Sequence, residues 1–219
     1  MNILVLDACA APARIGCLSS CGNKALFCLE DRQHSPPSDA LASLLFSALQ
    51  RQQGARINRI VVATGPGQFR GVRTGIATGR ALAMALKIPA VGVTCFEALT
   101  ADIVAAFPEN KKFGLVFGSK ARPLWAIIEP SRMTSAVSAS TPPWSEVRDW
   151  FGPLVPETAQ FTRPSIKSFA IRGGQKNPTA RPTAFYGAPP KVTPGAHRPL
   201  TRLARSYEDM TVGAQNKGF

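Results

Sequence analysis

The sequence predicts an α/β fold with strands running in both directions. Three observations carry this. Three short, β-rich apolar runs crowd into the first 29 residues with brief connections. Helical and strand patterns then alternate as far as residue 107. A glycine-rich break sits where one buried strand hands over to a helix. A meander followed by strand–helix–strand–helix is the pattern of a mixed sheet with helices against it.

Ile3–Leu6 reads as a buried strand, Ile15–Leu18 as a second and Ala25–Leu29 as a third, with a turn at Cys21–Lys24. Short connections make these three an antiparallel meander. Ser35-Pro36 suits a helix cap and first turn, with Ser38 or Asp39 as alternative caps. Leu41, Leu44, Leu45, Ala48 and Leu49 then fall on one helical face, and the helix should run to about Gln53, stopped by Gly54. Ile60–Ala63 is a buried strand. A helix follows over about Gly71–Leu86, then a strand at Pro89–Val93 and a helix over Phe96–Phe107, ended by Pro108.

Beyond Lys111 the pattern weakens. Phe113–Phe117 and Leu124–Ile128 read as a hairpin, Met133–Ala139 as a strand and Trp144–Phe151 as a short helix. Residues 153–199 show prolines, basic residues and little periodicity, which reads as irregular surface or disorder, and Pro199–Tyr207 as a terminal helix. No internal repeat is present. These contrasts divide the chain into an expected N-terminal lobe, residues 1–107, and a basic, proline-rich, partly irregular C-terminal lobe, residues 108–219.

Charge follows the same division. Residues 1–110 carry 10 Lys/Arg and 7 Asp/Glu, whereas residues 111–219 carry 16 and 6. The total of +13 favours solubility and attraction to polyanions and says nothing of the fold. A solvated basic surface and weak contact with RNA are both compatible with it. No apolar run approaches the roughly 20 residues of a membrane helix. The start, Met1–Asp7, lacks the basic segment of a signal peptide, and the five cysteines are odd in number, so a cytoplasmic protein with reduced thiols is expected.

The most distinctive segment is Gly65-Pro66-Gly67-Gln68-Phe69-Arg70-Gly71-Val72-Arg73-Thr74-Gly75, between a buried strand and a helix. Such loops can aim backbone N–H groups at an anion. This one lacks the Lys-Ser/Thr of a P-loop, and Pro66 removes a donor, so a tight turn with close helix approach is the competing reading. In the helix itself, Gly71, Gly75, Gly79 and Ala83 recur every fourth residue. Glycine in a helix costs roughly 0.5–1 kcal/mol against alanine, so the stripe asks for a compensating close contact. Two contacts can supply it: the chain's own sheet, or a helix of another chain. On the second reading Leu41, Leu44, Leu45 and Ala48 join Gly71, Arg73, Gly75, Gly79 and Ala83 in a partner-binding surface beside the loop of Gly65, Pro66, Gly67 and Phe69.

This segment resembles the glycine loop of the TsaB (YeaZ) family, usually G-P-G-S-F-T-G-[VL]-R-x-G. Gly79–Val93, the opening Ile3–Asp7, His34-Ser35 and Phe96–Leu99 also match that family, over about residues 1–107. Gln68 and Arg70 stand where the family usually has serine and threonine, and Ser119-Lys120-Ala121-Arg122 lacks the aspartate of its hairpin. The resemblance implies an actin-like (ASKHA, ribonuclease H-like) mixed sheet with flanking helices in two related lobes, the second diverged. It also implies a non-catalytic scaffold partner of TsaD in threonylcarbamoylation of adenosine 37 of tRNA. The implied associates are a TsaD-like protein, a TsaE-like ATPase, a second copy in a homodimer, and tRNA indirectly or weakly through the basic half. ATP and metal would belong to the partner proteins.

Other chemistry has thinner support. Asp7 ends the first strand where actin-like kinases place a phosphate-site aspartate, which makes it a candidate nucleotide residue. Ala8–Ala13 after it offers few hydroxyls and no ammonium, a poor phosphate cradle. The only histidines, His34 and His197, are too far apart to pair on zinc. Cys17 and Cys28 read as buried, hydrophobe-like strand residues, and no Cys9, Cys17, Cys21 or Cys28 spacing makes a C-x-x-C pair. Arg70, Arg73 and Arg80 flank the loop as an interface rim. Trp125, Trp144 and Trp150 read as packing residues. An ATP-dependent phosphotransferase or ATPase and a basic RNA-binding module stay open as alternatives.

Overall fold

Residues Asn2–Asp7 form β1, which pairs antiparallel with β2, Arg14–Ser19, while β2 pairs antiparallel with β3, Ala25–Glu30. The expected meander is therefore present. The computed structural model describes residues 1–19, 24–33, 35–51, 56–130, 137–155 and 161–186, which fall within one compact unit, Met1–Ala188. The turn expected at Cys21, the strand start at Met133 and the terminal helix at Pro199–Tyr207 lie outside the described residues.

Helix α1 spans Pro37–Arg51, β4 Ile57–Ala63, α2 Phe69–Leu86, β5 Ala90–Val93 and α3 Cys95–Ala106. The Pro36 carbonyl accepts from the Asp39 and Ala40 amides, so α1 opens with Pro37 in the first helical position, where a missing N–H costs nothing. Ser38 and Asp39, expected as alternative caps, lie inside the first turn. In α3, Thr94 and Glu97 form a reciprocal capping box, a Thr-x-x-Glu signal that the sequence carries.

Strands β4 and β5 run parallel to β1, giving a five-stranded mixed sheet in the order β3-β2-β1-β4-β5. A second sheet holds β6, Phe113–Ser119, between β7, Arg122–Ile128, and β8, Trp150–Phe151. Trp144–Phe151, expected as a helix, instead gives a turn and the strand β8, because Gly114 and Leu115 of β6 offer Trp150 and Phe151 a parallel ladder. Residues 153–199, expected to be irregular, contain α4, Ile166–Gln175. Ser165 caps it, and Ile166, Phe169, Ala170 and Gly173 make its buried face.

Alternation along the strands sorts the two faces of the main sheet. Leu6, Ile60 and Val62 face α2, at Gly79, while Ile3 and Val61 face α4, at Gly174 and Gly173. Arg59, 8% exposed, reaches the end of α4 and donates to the carbonyls of Gly173, Gly174 and Lys176. A cation at a helix C-terminus satisfies orphan carbonyls and complements the dipole. One apolar core runs from the main sheet through Phe96 to Phe113, Leu115 and Phe117 and on to Phe169 of α4. The Phe96 and Phe117 rings meet edge to face, 4.7 Å between centroids. Residues on both sides of position 107 thus share that core.

Candidate functional site

Strands β1 and β4 end side by side, and their carboxyl ends present Asp7 and the loop of residues 64–68. This is where open α/β sheets place their sites. Gly65 has φ +108°, a left-handed conformation costly for any residue with a side chain, and its carbonyl accepts from the Cys95 amide at 2.7 Å. The Gln68 amide donates to the Cys9 carbonyl at 2.7 Å. Pro66 offers no amide. The Gln68 amide is thus turned inward, onto the chain's own backbone, and α2 starts at Phe69. The arrangement favours the reading of a tight turn with close approach over an anion cradle.

A strap crosses this loop. The Phe185 amide donates to the Thr64 carbonyl at 2.8 Å, and Arg80 donates to the Pro182 carbonyl. The Tyr186 ring lies 5.1 Å from Phe69, whose other neighbour is the Arg73 guanidinium, 5.1 Å from its centroid. Arg80 is therefore engaged with the strap, not with a free rim. Nothing in the composition of residues 181–186 announces this role.

Asp7 is 1% exposed. Its Oδ2 accepts from Arg14 Nη2 at 2.6 Å and from Arg163 Nη2 at 2.9 Å, and its Oδ1 accepts from the Cys9 amide at 3.0 Å. Burial pushes the carboxyl up, but the Arg163 and Arg14 guanidiniums and the Cys9 amide outweigh it and hold the carboxyl below its ordinary range. Arg163 also donates to the carbonyls of Pro12 and Ala10. Asp7, expected as a candidate nucleotide residue, has its charge matched within the chain, and it fastens the segment around Arg163 to the β1–β2 connection. Neither arginine was singled out in the sequence.

The glycine stripe is also resolved. Gly71 lies against the Ala8 carbonyl and Pro37, Gly75 against Val62 and Ala8, and Gly79 against Val62, Leu6 and Ile60. The close contact that these glycines require comes from the chain's own β1, β4, Ala8 and Pro37, and Ala83, 7% exposed, continues the same buried face. Leu41 and Ala48 are buried and Leu44 and Leu45 half-buried against the core. The assignment of this set to a partner surface is corrected accordingly: Arg73 alone of the nine is exposed. The large apolar residues that α1 and α2 do present outward are Phe46, 65% exposed, Leu49, Phe69, Met84, 80% exposed, and Leu86. The period of α2 already held this signal, since Arg73, Ala77, Ala81 and Met84 recur at helical spacing and all are exposed.

Cys17 is buried, as expected, but Cys28 is exposed, because β3 is the outer strand of the sheet. Trp150 is buried, whereas Trp144 is half-exposed and lies tilted against it, 4.9 Å between ring centroids. Both histidines lie outside the described residues. Among the described residues, no three His, Cys, Asp or Glu side chains could hold a metal ion together. No helix among them is long and apolar enough to cross a membrane.

Residues 31–117 match the family model for TsaD, tRNA N6-adenosine threonylcarbamoyltransferase. YeaZ from Pseudomonas aeruginosa is similar in structure at 20% identity and a TM-score of 0.53, over 69% of this chain and 74% of that one. A protein described as uncharacterized, with similarity to peptidase YEAZ from Pseudomonas aeruginosa, gives 19% identity and a TM-score of 0.54, over 78% and 90%. At these identities the two structures show a shared fold. No curated protein matches the chain. The family-model match runs from the end of β3 through the glycine loop to β6, so it includes both α1 and α2.

Proposed function

We propose that the chain is a non-catalytic, TsaB-like partner of a TsaD-type threonylcarbamoyltransferase, acting in modification of adenosine 37 of tRNA in the cytoplasm. The observation that carries this reading is the outward face of α1 and α2. A helix pair whose inner face is fully packed has no internal use for Phe46 and Met84 in water. Large exposed apolar side chains are what a docking surface provides. The partner therefore lies on Phe46, Leu49, Met84 and Arg73, and not on the glycine stripe. A second copy could use the same face, so homodimer and heterodimer would compete for it. The ATP and metal chemistry would be the work of the TsaD-type and TsaE-type proteins.

The ion-paired state of Asp7 supports a non-catalytic role. A phosphotransferase of this fold would need its first-strand carboxylate facing the ligand, and here two guanidiniums occupy it. The test is co-purification of the full chain with the cell's TsaD-type protein, together with measurement of threonylcarbamoyladenosine in tRNA after the chain is depleted. The reading requires both a complex and loss of the modified base. Turnover of ATP by the purified chain alone would contradict it.

A further inference from the structure

Residues 181–186 form neither helix nor strand, yet they are seated on α2 at two points. Arg80 donates to the Pro182 carbonyl, and the Tyr186 ring lies 5.1 Å from that of Phe69. On the sheet side, the Phe185 amide donates to the Thr64 carbonyl at 2.8 Å, and the Phe185 ring meets Phe96 edge to face at 6.2 Å. A Cβ built on Gly92 would fall 3.0 Å from the Pro182 Cα, so β5 carries a glycine where the strap's backbone passes. The seat is therefore specific, but the hold is local. Arg181 and Thr183 are exposed, and Ala184, Phe185 and Tyr186 are half-buried. A segment held this way, without a ladder or helix of its own, opens at lower cost than the core beneath it.

The strap's two points on α2 share a face with the docking residues. Phe69, Arg73, Arg80 and Met84 recur at helical spacing, and all four are exposed. Tyr186 lies against Phe69, and the Arg73 guanidinium lies over the same Phe69 ring. The chain's own segment thus occupies one end of the stripe that carries Met84 at the other. We propose that residues 181–186 are an autoinhibitory strap: seated, they cover the Phe69–Arg80 part of α2, and the protein partner binds once they lift away. This rests on the reading of α1 and α2 as a docking surface. Release uncovers Phe69 and frees the Arg80 guanidinium for the partner. A partner that binds only the released state has its affinity lowered by the fraction of chains whose strap is seated.

The experiment uses the full chain and the cell's TsaD-type protein. Hydrogen exchange is read at the strap peptide, and affinity by calorimetry. The Phe185 amide, held by Thr64 in the free chain, should exchange faster in the complex. Tyr186→Ser withdraws the ring from Phe69 and should raise the affinity about threefold or more, with an unchanged circular dichroism spectrum. A strap peptide protected equally or better in the complex would overturn the proposal and leave the docking reading intact. So would a folded Tyr186→Ser chain that binds no tighter than its parent. Failure of both chains to bind would overturn the strap and the docking reading together. Exchange in the parent chain decides the matter even if Tyr186→Ser fails to fold.

Discussion

Arg163 and Asp7 stand 156 positions apart in the chain and 2.9 Å apart in space. That ion pair, shared with Arg14, closes the carboxyl end of β1 and fastens the approach to α4 onto the β1–β2 connection. Replacing Arg163 by alanine leaves Asp7 with one guanidinium in place of two and frees the Ala10 and Pro12 carbonyls. The expected loss is on the order of 2 kcal/mol, read from the midpoint of urea unfolding. An unchanged midpoint would remove the fastening role.

Acid should expose the same contact. The folded carboxyls of Asp7 and Glu97 both lie below their ordinary values of 3.8 and 4.5. Burial raises each, and the charged partners, Arg163 and Arg14 for Asp7 and Lys176 for Glu97, more than offset it. A group depressed on folding contributes stability that is present above its unfolded value and is lost as pH falls through its folded value. Stability should therefore be flat above about pH 5 and fall steeply below about pH 4. Asp7→Asn should flatten that fall while lowering the plateau. A parent chain whose stability is level down to pH 2 would contradict the assignment.

The glycine stripe makes a prediction of opposite signs. A Cβ at Gly75 would meet Val62 and Ala8 at 3.7 and 3.8 Å, ordinary contact, so Gly75→Ala should gain roughly 0.5–1 kcal/mol from helix propensity. A Cβ at Gly79 would overlap a Val62 methyl, so Gly79→Ala should lose about 1–3 kcal/mol despite the same propensity. Thermal unfolding of the two variants beside the parent compares them directly. Two changes of the same sign would mean that the stripe does not pack on β4 as described.

Much of the fold was legible because its signals are local. Every strand and helix up to residue 107 was anticipated within a few residues, since buried strands there read as unbroken Val, Ile and Leu runs and helices as spaced leucines. The partner face was misread for a physical reason. A stripe of glycines announces a close approach but not the identity of what approaches, and here the sheet of the same chain fills it. Arg163 and the strap at residues 181–186 act through contacts that join residues more than 100 positions apart, and no local spacing encodes them. Helix α4 was missed although Ile166, Phe169, Ala170 and Gly173 hold helical spacing behind a serine cap. Its Gly173-Gly174 pair and the prolines around it masked the period, and Val61 and Ile3 make those glycines useful.

The outward face of α1 and α2 decides the functional account. Substituting Phe46→Glu and Met84→Glu together places charge on side chains that touch water, so the circular dichroism spectrum and unfolding midpoint of the monomer should stay unchanged. Titration of the full chain against the cell's TsaD-type protein, followed by calorimetry, is the most direct measurement. The account predicts binding by the parent chain and at least a tenfold loss of affinity in the double variant. Equal affinity for both, or no affinity in the parent, would contradict it.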